Sequence, residues 1–254
     1  MAAGLSVQLY TLRKEAKTLG LGAVIDRLGK IGYAGVEPAG FGELTPDAFK
    51  KRVAEAGMVI SSGHLGLPDA NKTNEVLDQQ SAVGNDTLVV AFLPPDDFKD
   101  ESAVKRSADK LNAFNAAVKA RGARLGYHNH WWEFGTKLAG GKSAHARLFE
   151  LLDPSVFAEV DIYWAKVGGA NPVDVVKSMG ERARLLHIKD GPADGHESPM
   201  TAVGDGVVDI GGVAKASKAK WHIVELDQCA TDMFEAVEKS HRFMTKGGYA
   251  AGKK

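Results

Sequence analysis

The chain has 254 residues, 44% hydrophobic and 25% charged, which is enough to bury a full core and ordinary for a globular protein. Lys plus Arg and Asp plus Glu each number 32, so the net charge is zero and nothing favours a phosphate-backbone partner such as nucleic acid. Cys229 is the only cysteine, which excludes an internal disulfide and a thiolate metal cluster, and no run of about 18 apolar residues offers a membrane span.

Short apolar runs alternate with longer stretches of helical spacing from end to end, without a linker, so one domain over residues 1–254 is expected. The first strand is expected at residues 5–9, too near the start to leave room for a leader. Together with the cysteine count this points to the cytoplasm, a periplasmic location staying open if a leader has been removed. Further strands are expected at 35–37, 59–62, 87–91, 124–128, 157–161, 184–188 and 222–225. Between them, "LTPDAFKKRVAEAG" carries a Thr45 cap, Pro46 in the first turn and Gly57 past the end. "NPVDVVKSMG" repeats that design with Asn171, Pro172 and Gly180, and "DESAVKRSADKLNAFNAAVKARG" closes at Gly122. Eight strand-helix units predict an α/β fold, a single (β/α)8 TIM barrel, whose usual length is roughly 250 residues. The competing architecture is a doubly wound open sheet, but no strand is followed by a glycine-rich nucleotide-binding signature.

In a TIM barrel the chemistry lies at the C-terminal strand ends. Read in order, those exits carry Gln8 and Tyr10, Glu37, His64, an apolar "AFLPP", then His128, His130 and Glu133, then Asp161, His187 and Lys189, and Glu225 and Asp227. Alternation puts Leu185, His187 and Lys189 on one strand face, Glu159, Asp161 and Tyr163 on another, and Ile223, Glu225 and Asp227 on a third. If those faces point inward, Asp161, His187 and Glu225 converge, and two acids packed beside an imidazole need a cation between them. Glu133 completes an oxygen-rich set of Glu133, Asp161, His187 and Glu225, which favours Mn²⁺, with Mg²⁺, Co²⁺ and Zn²⁺ as alternatives. Within "GYHNHWWEF", His130 is the first candidate for a proton-abstracting base and His128 the second, while joint ligation by both histidines is the rival assignment. Lys189 is expected to stabilise a developing oxyanion, with Asp190 orienting it. Glu37, His64 and Asp190 are candidate substrate contacts, Glu37 alternatively an ion-pair partner at the barrel mouth. Trp131, Trp132 and Trp164 are candidates for an apolar wall against a sugar ring.

The segments "VQLYTLR", "IGYAGVEPAGF", "GYHNHWWEF", "EVDIYWAKVGG", "LLHIKDG", "GDGVVDIGG" and "HIVELDQ", in that order, resemble the sugar phosphate isomerase/epimerase family. That family has the xylose isomerase-like TIM barrel and belongs to the superfamily that also contains the apurinic-site endonucleases. The resemblance implies the ligand set Glu133, Asp161, His187 and Glu225. The chain departs from the endonucleases in having Trp164 where their three-metal cluster needs a histidine, which implies a single metal. It departs from the sugar epimerases in having His128 near the place of their strand-five glutamate, with the first ligand moved to Glu133. The "YHNHxxEF" form resembles a subgroup acting on inositol-like ketones and 3-keto-sugars. The expected function is a divalent-metal-dependent isomerase or epimerase that removes a proton α to the carbonyl of a keto-sugar or cyclitol. A lyase or dehydratase on 3-keto-glycosides or inosose is the alternative, and a non-catalytic sugar-binding barrel the second alternative. A small-molecule sugar or cyclitol is the expected partner, a homo-oligomer is compatible with the reading, and neither nucleic acid nor membrane is expected.

Overall fold

A strand inside an α/β barrel is buried on both faces, one turned to the helices and one to the barrel interior. In "GLSVQ", Leu5 and Val7 enter the layer beneath the helices, while Ser6 and Gln8 bond across the interior to Ser61 and Glu37. The computed structural model describes residues 2–253; residues 1 and 254 of the expected 1–254 domain lie outside the described residues.

The strands are β1 (Gly4–Gln8), β2 (Gly35–Glu37), β3 (Val59–Ile60), β4 (Gly63–Leu65), β5 (Thr87–Val90), β6 (Arg124–His128), β7 (Phe157–Asp161), β8 (Ala183–Ile188) and β9 (Trp221–Val224). Their order is β3-β2-β1-β9-β8-β7-β6-β5-β4, and every pairing is parallel. The outermost strands of that order, β3 and β4, are separated in sequence only by Ser61 and Ser62, so the sheet curls into a nearly closed barrel. The single third strand expected at 59–62 is therefore two short ones. Ser61 still donates its N–H to Val36 O (3.0 Å), and its hydroxyl sits 3.1 Å from the same carbonyl and 2.8 Å from Ser6 Oγ. Two residues on, the ladder has passed from β2 to β5.

The helix signals act as their chemistry requires. Thr45 Oγ1 accepts from Ala48 N at the start of helix Pro46–Glu55. Asp100 accepts from Ala103 N (2.8 Å) before helix Glu101–Ala120, and Asn171 accepts from Val173 N (2.9 Å) before helix Pro172–Met179. Gly57, Gly122 and Gly180 follow these helices with φ of 72°, 73° and 52°, a region that costs other residues about 1–2 kcal/mol.

Most of the core lies between sheet and helices. A separate small cluster of Val89, Phe157, Leu185 and Ile223, with Trp221 against it, fills the lower barrel interior. Gly4 and Gly126 make room for these rings, since a Cβ at either would collide with Trp221 or Phe157 respectively. Above this apolar plug the inward positions turn polar. Among the described residues no helix is long and apolar enough to cross a membrane.

Candidate metal centre

Two residues further along each strand, the inward sequence continues from Gly126 to His128, from Phe157 to Glu159 and then Asp161, from Leu185 to His187 and Lys189, and from Ile223 to Glu225. Parallel register brings Asp161 beside His187 and His128 beside Glu159. Two groups result, His128 with Asp161, His187 and Glu225, and, sharing both histidines, His64 with His128, Glu159 and His187. Within each group the nitrogen and oxygen donor atoms all lie within 4.8 Å of one another.

His187 joins the two. Its Nδ1 is 2.7 Å from Glu225 Oε2 and its Nε2 is 2.7 Å from Glu37 Oε1. His128 does the same more loosely, with Nδ1 3.2 Å from Glu159 Oε2 and Nε2 3.7 Å from Asp161 Oδ2. His64 Nε2 contacts Glu159 and lies 3.3 Å from Glu37 Oε1. The Lys189 ammonium, almost wholly buried, is 2.9 Å from Asp161 Oδ2, 2.7 Å from Glu225 Oε2 and 2.7 Å from Asp227 Oδ2.

Burial and charge compete at every group. Burial pushes Asp161 up to about 6 although Lys189 and His187 pull the other way. Burial also works to raise Glu225, but Lys189 and His187 hold it well below the usual carboxylate range. Burial works to lower His187, yet Glu159, Glu225 and Glu37 lift it well above the ordinary imidazole value. Lys189, likewise opposed by burial, is held well above its ordinary value by Asp161, Asp227 and Glu225. Glu159 is raised by burial and by the neighbouring Glu37 charge. Two buried oxygens lack any hydrogen bond, Glu159 Oε1 and Asp161 Oδ2. Asp161 Oδ2 feels the Lys189 charge without an aligned donor. Such an orphaned acceptor, facing two imidazoles and a second carboxylate, fits a divalent cation. His128, Asp161, His187 and Glu225 are the residues that could hold it.

Glu133, expected among these ligands, joins neither group. β6 ends at His128 and the helix Trp131–Gly135 begins at once, with His130 as its N-cap. Glu133 is the third residue of that helix and turns back on its cap. Its Oε2 accepts from His130 N (2.9 Å), the glutamate half of a capping box, and its Oε1 from the Tyr127 hydroxyl (2.7 Å). Burial raises this acid to about 8. Glu37 is also corrected. It is fully buried below His187 and accepts from Gln8 Nε2 (2.7 Å) and from the Ser62 hydroxyl, which removes it from substrate contact. Asp190, expected to touch substrate or orient Lys189, instead gathers four backbone N–H groups. Gly191 and Val208 donate to Oδ1, Gly204 and Gly206 to Oδ2, at 2.9–3.1 Å.

The remaining candidates meet at a cavity of about 900 Å³ above the cluster, lined by His64, His128, His130, Trp131, Trp164, Lys189 and Glu225 among others. His130 stacks on Trp132 at 4.4 Å, its Nδ1 is buried without a partner, and burial lowers it to about 3, so it is a neutral imidazole. His128, by contrast, is tied to Glu159. Trp131 stacks on His196 (4.6 Å), and Lys189 Nζ lies 5.2 Å from the centre of the Trp164 ring. Three residues given no role from the sequence belong here. Glu159 supports two histidines and Asp227 pairs with Lys189. Asn129 clamps the backbone of Asp161, accepting from its N–H (3.1 Å) and donating to its carbonyl (3.2 Å). The alternation of Glu159 with Asp161 and of Asp227 with Glu225 was the sequence signal for two of the three.

Residues 25–221 match the family described as xylose isomerase-like TIM barrel. No curated protein sequence matches the chain. Among solved structures, a sugar phosphate isomerase/epimerase from Parabacteroides distasonis is 24% identical, with a TM-score of 0.82 over 99% of this chain and 96% of that one. The probable 3-DHS dehydratase AsbF from Bacillus anthracis is 10% identical, with a TM-score of 0.76 over 95% and 98%. The IOLI protein, solved with a bound zinc atom, is 14% identical, with a TM-score of 0.69 over 98% of each chain. At these identities the likeness is one of fold.

Proposed function

We propose that this chain, which belongs to the xylose isomerase-like TIM barrel family, works as one domain that removes the proton next to the carbonyl of a keto-sugar or cyclitol with the help of one divalent ion, as an isomerase or epimerase. The observation that carries the reading is the convergence of His128, Asp161, His187 and Glu225, whose two carboxylates share the one Lys189 ammonium, beneath an open cavity. Exchanging Glu133 for His128 makes the donor set two nitrogens and two oxygens, which moves the preference from Mn²⁺ towards Zn²⁺ or Co²⁺. When bound, such an ion supplies Lewis-acid polarisation of a carbonyl and its neighbouring hydroxyl, worth several kcal/mol.

The chain's own groups do the rest. His130 lines the cavity and, with its Nδ1 buried, accepts the proton on Nε2. An imidazole held near 3 is a weak base, so it acts only on carbon already acidified, and general-base help of about 10²- to 10⁴-fold is the relevant scale. Lys189 donates to the oxygen on which negative charge gathers. Trp131 and Trp164 cover the reacting carbon and keep water off it.

A second reading, elimination from a 3-keto-glycoside, is favoured by the cavity itself. At about 900 Å³ it is near the top of the ~300–1,000 Å³ range of small-molecule sites. Its lining also includes Phe41, Leu65, Val76, Ala91 and Phe92, apolar surface for a group attached to the sugar. One experiment tests both readings: metal analysis of the purified protein, then keto-sugars, inosose and an aryl 3-keto-glucoside in D₂O followed by NMR. Deuterium at one carbon beside the carbonyl supports proton abstraction, and release of the aryl group selects elimination. Metal-free protein that exchanges no ligand proton, with or without added Zn²⁺, Co²⁺ or Mn²⁺, contradicts both.

A further inference from the structure

Below the four candidate ligands lies a second tier that no substrate reaches. Glu37 and Glu159 are both fully buried, and each faces imidazole nitrogens. Glu37 accepts from the Gln8 amide at 2.7 Å and from the Ser62 hydroxyl. With two neutral donors already on it, it acts as an ionised acceptor, so the hydrogen in its 2.7 Å contact with His187 sits on Nε2. The other ring nitrogen, Nδ1, is thereby turned to the side where Glu225 and Asp161 converge, and it is the nitrogen that gives up its hydrogen when an ion binds. His128 is arranged the same way, Nδ1 on Glu159 and Nε2 towards Asp161.

We infer that Glu37 and Glu159 are positioning residues that fix which nitrogen His187 and His128 offer to the ion. The inference rests on the metal reading above. A carboxylate behind a ligating histidine locks its ring and tautomer and makes its free nitrogen more basic. The same geometry explains why two donor groups share two histidines. The lower one, His64 with His128, Glu159 and His187, meets the very nitrogens that carry hydrogen to the carboxylates, so it supports an ion rather than holding one.

The test uses zinc and the full chain. In ¹⁵N-histidine spectra of the zinc-loaded wild type, His187 is expected to carry hydrogen on Nε2 and His128 on Nδ1. Glu37→Gln and Glu159→Gln keep side-chain volume but replace the carboxylate behind each ring, and each is expected to weaken zinc binding by about 10–100-fold, measured by chelator competition, with one zinc still bound at saturation. Hydrogen on His187 Nδ1 in the zinc-loaded wild type overturns the inference without any variant. So does unchanged affinity in folded variants, or a second zinc in the wild type that Glu159→Gln loses. A wild type that binds no zinc, cobalt or manganese overturns the metal reading itself.

Discussion

A carboxylic acid walled off from water needs a donor for each oxygen, and Glu133 finds Tyr127 and the His130 backbone. Its role is therefore to hold the turn that carries His130. Glu133→Ala should lower stability by about 1–3 kcal/mol, whereas Glu133→Gln, which can refill a capping box, should cost under about 1 kcal/mol. Both should keep the metal content of the wild type, checked by urea unfolding and metal analysis; a folded Glu133→Gln without metal would return Glu133 to the ligand set. Lys189 leads to a prediction of opposite sign. Its ammonium sits on the same oxygens of Asp161 and Glu225 that face the candidate ion, so the two cations compete. Lys189→Met should bind zinc at least about tenfold more tightly while its metal-free form unfolds at lower temperature, because unit charges a few ångströms apart interact by about 4 kcal/mol even in a screened interior. Weaker zinc binding would mean that the lysine assists the ion. At this scale Asp161, His187 and Glu225 were legible in the sequence because strand alternation alone sets their common face. Glu133 was misread because a run of nine residues does not say where the strand stops, and stopping at His128 rather than further on turns residue 133 from the barrel mouth into a helix.

Elements set what those residues can reach. In the segment after β8, Asp190 alone accepts from four backbone N–H groups between Gly191 and Val208. Asp190→Ala should destabilise on the order of 3 kcal/mol and open new cleavage sites within residues 191–208 in limited proteolysis; unchanged digestion would contradict that role. Helix Ala144–Leu151 carries a different device. His145 lies between Phe134 and Phe149 (ring centroids 4.3 and 4.9 Å) with Nε2 unpartnered, and burial lowers it to about 3. A histidine lowered in the folded state favours folding fully above its unfolded value near 6.5, and that contribution is lost as pH falls from about 6.5 towards 3. Going from pH 7 to 5 should therefore cost the wild type roughly 2 kcal/mol through this group, and His145→Phe should show a shallower fall in urea unfolding at the two values. Equal slopes would contradict it. Caps and glycine stops made the helices readable, since each depends on one or two local residues. The split of the third strand was not readable, because it depends on Ser6, Val36 and Glu37 meeting Ser61 and Ser62 across the barrel.

For the whole molecule, the decisive division is vertical. Val89, Phe157, Leu185 and Ile223 seal the lower barrel, and above them gather acids, imidazoles, an amide, serine hydroxyls and an ammonium. Composition and the strand-helix rhythm were enough to anticipate the barrel, but not the depth at which its interior turns polar, because that is decided by register between strands far apart in sequence. Burying so many ionisable groups is costly unless opposite charges meet, and His128, Asp161, His187 and Glu225 meet where they could hold a cation. Anomalous diffraction from crystals grown with zinc tests this most directly. The expected result is one peak bounded by His128, Asp161, His187 and Glu225, with Glu133 still on Tyr127 and His130. A peak at Glu133, or none among those four side chains, would contradict it.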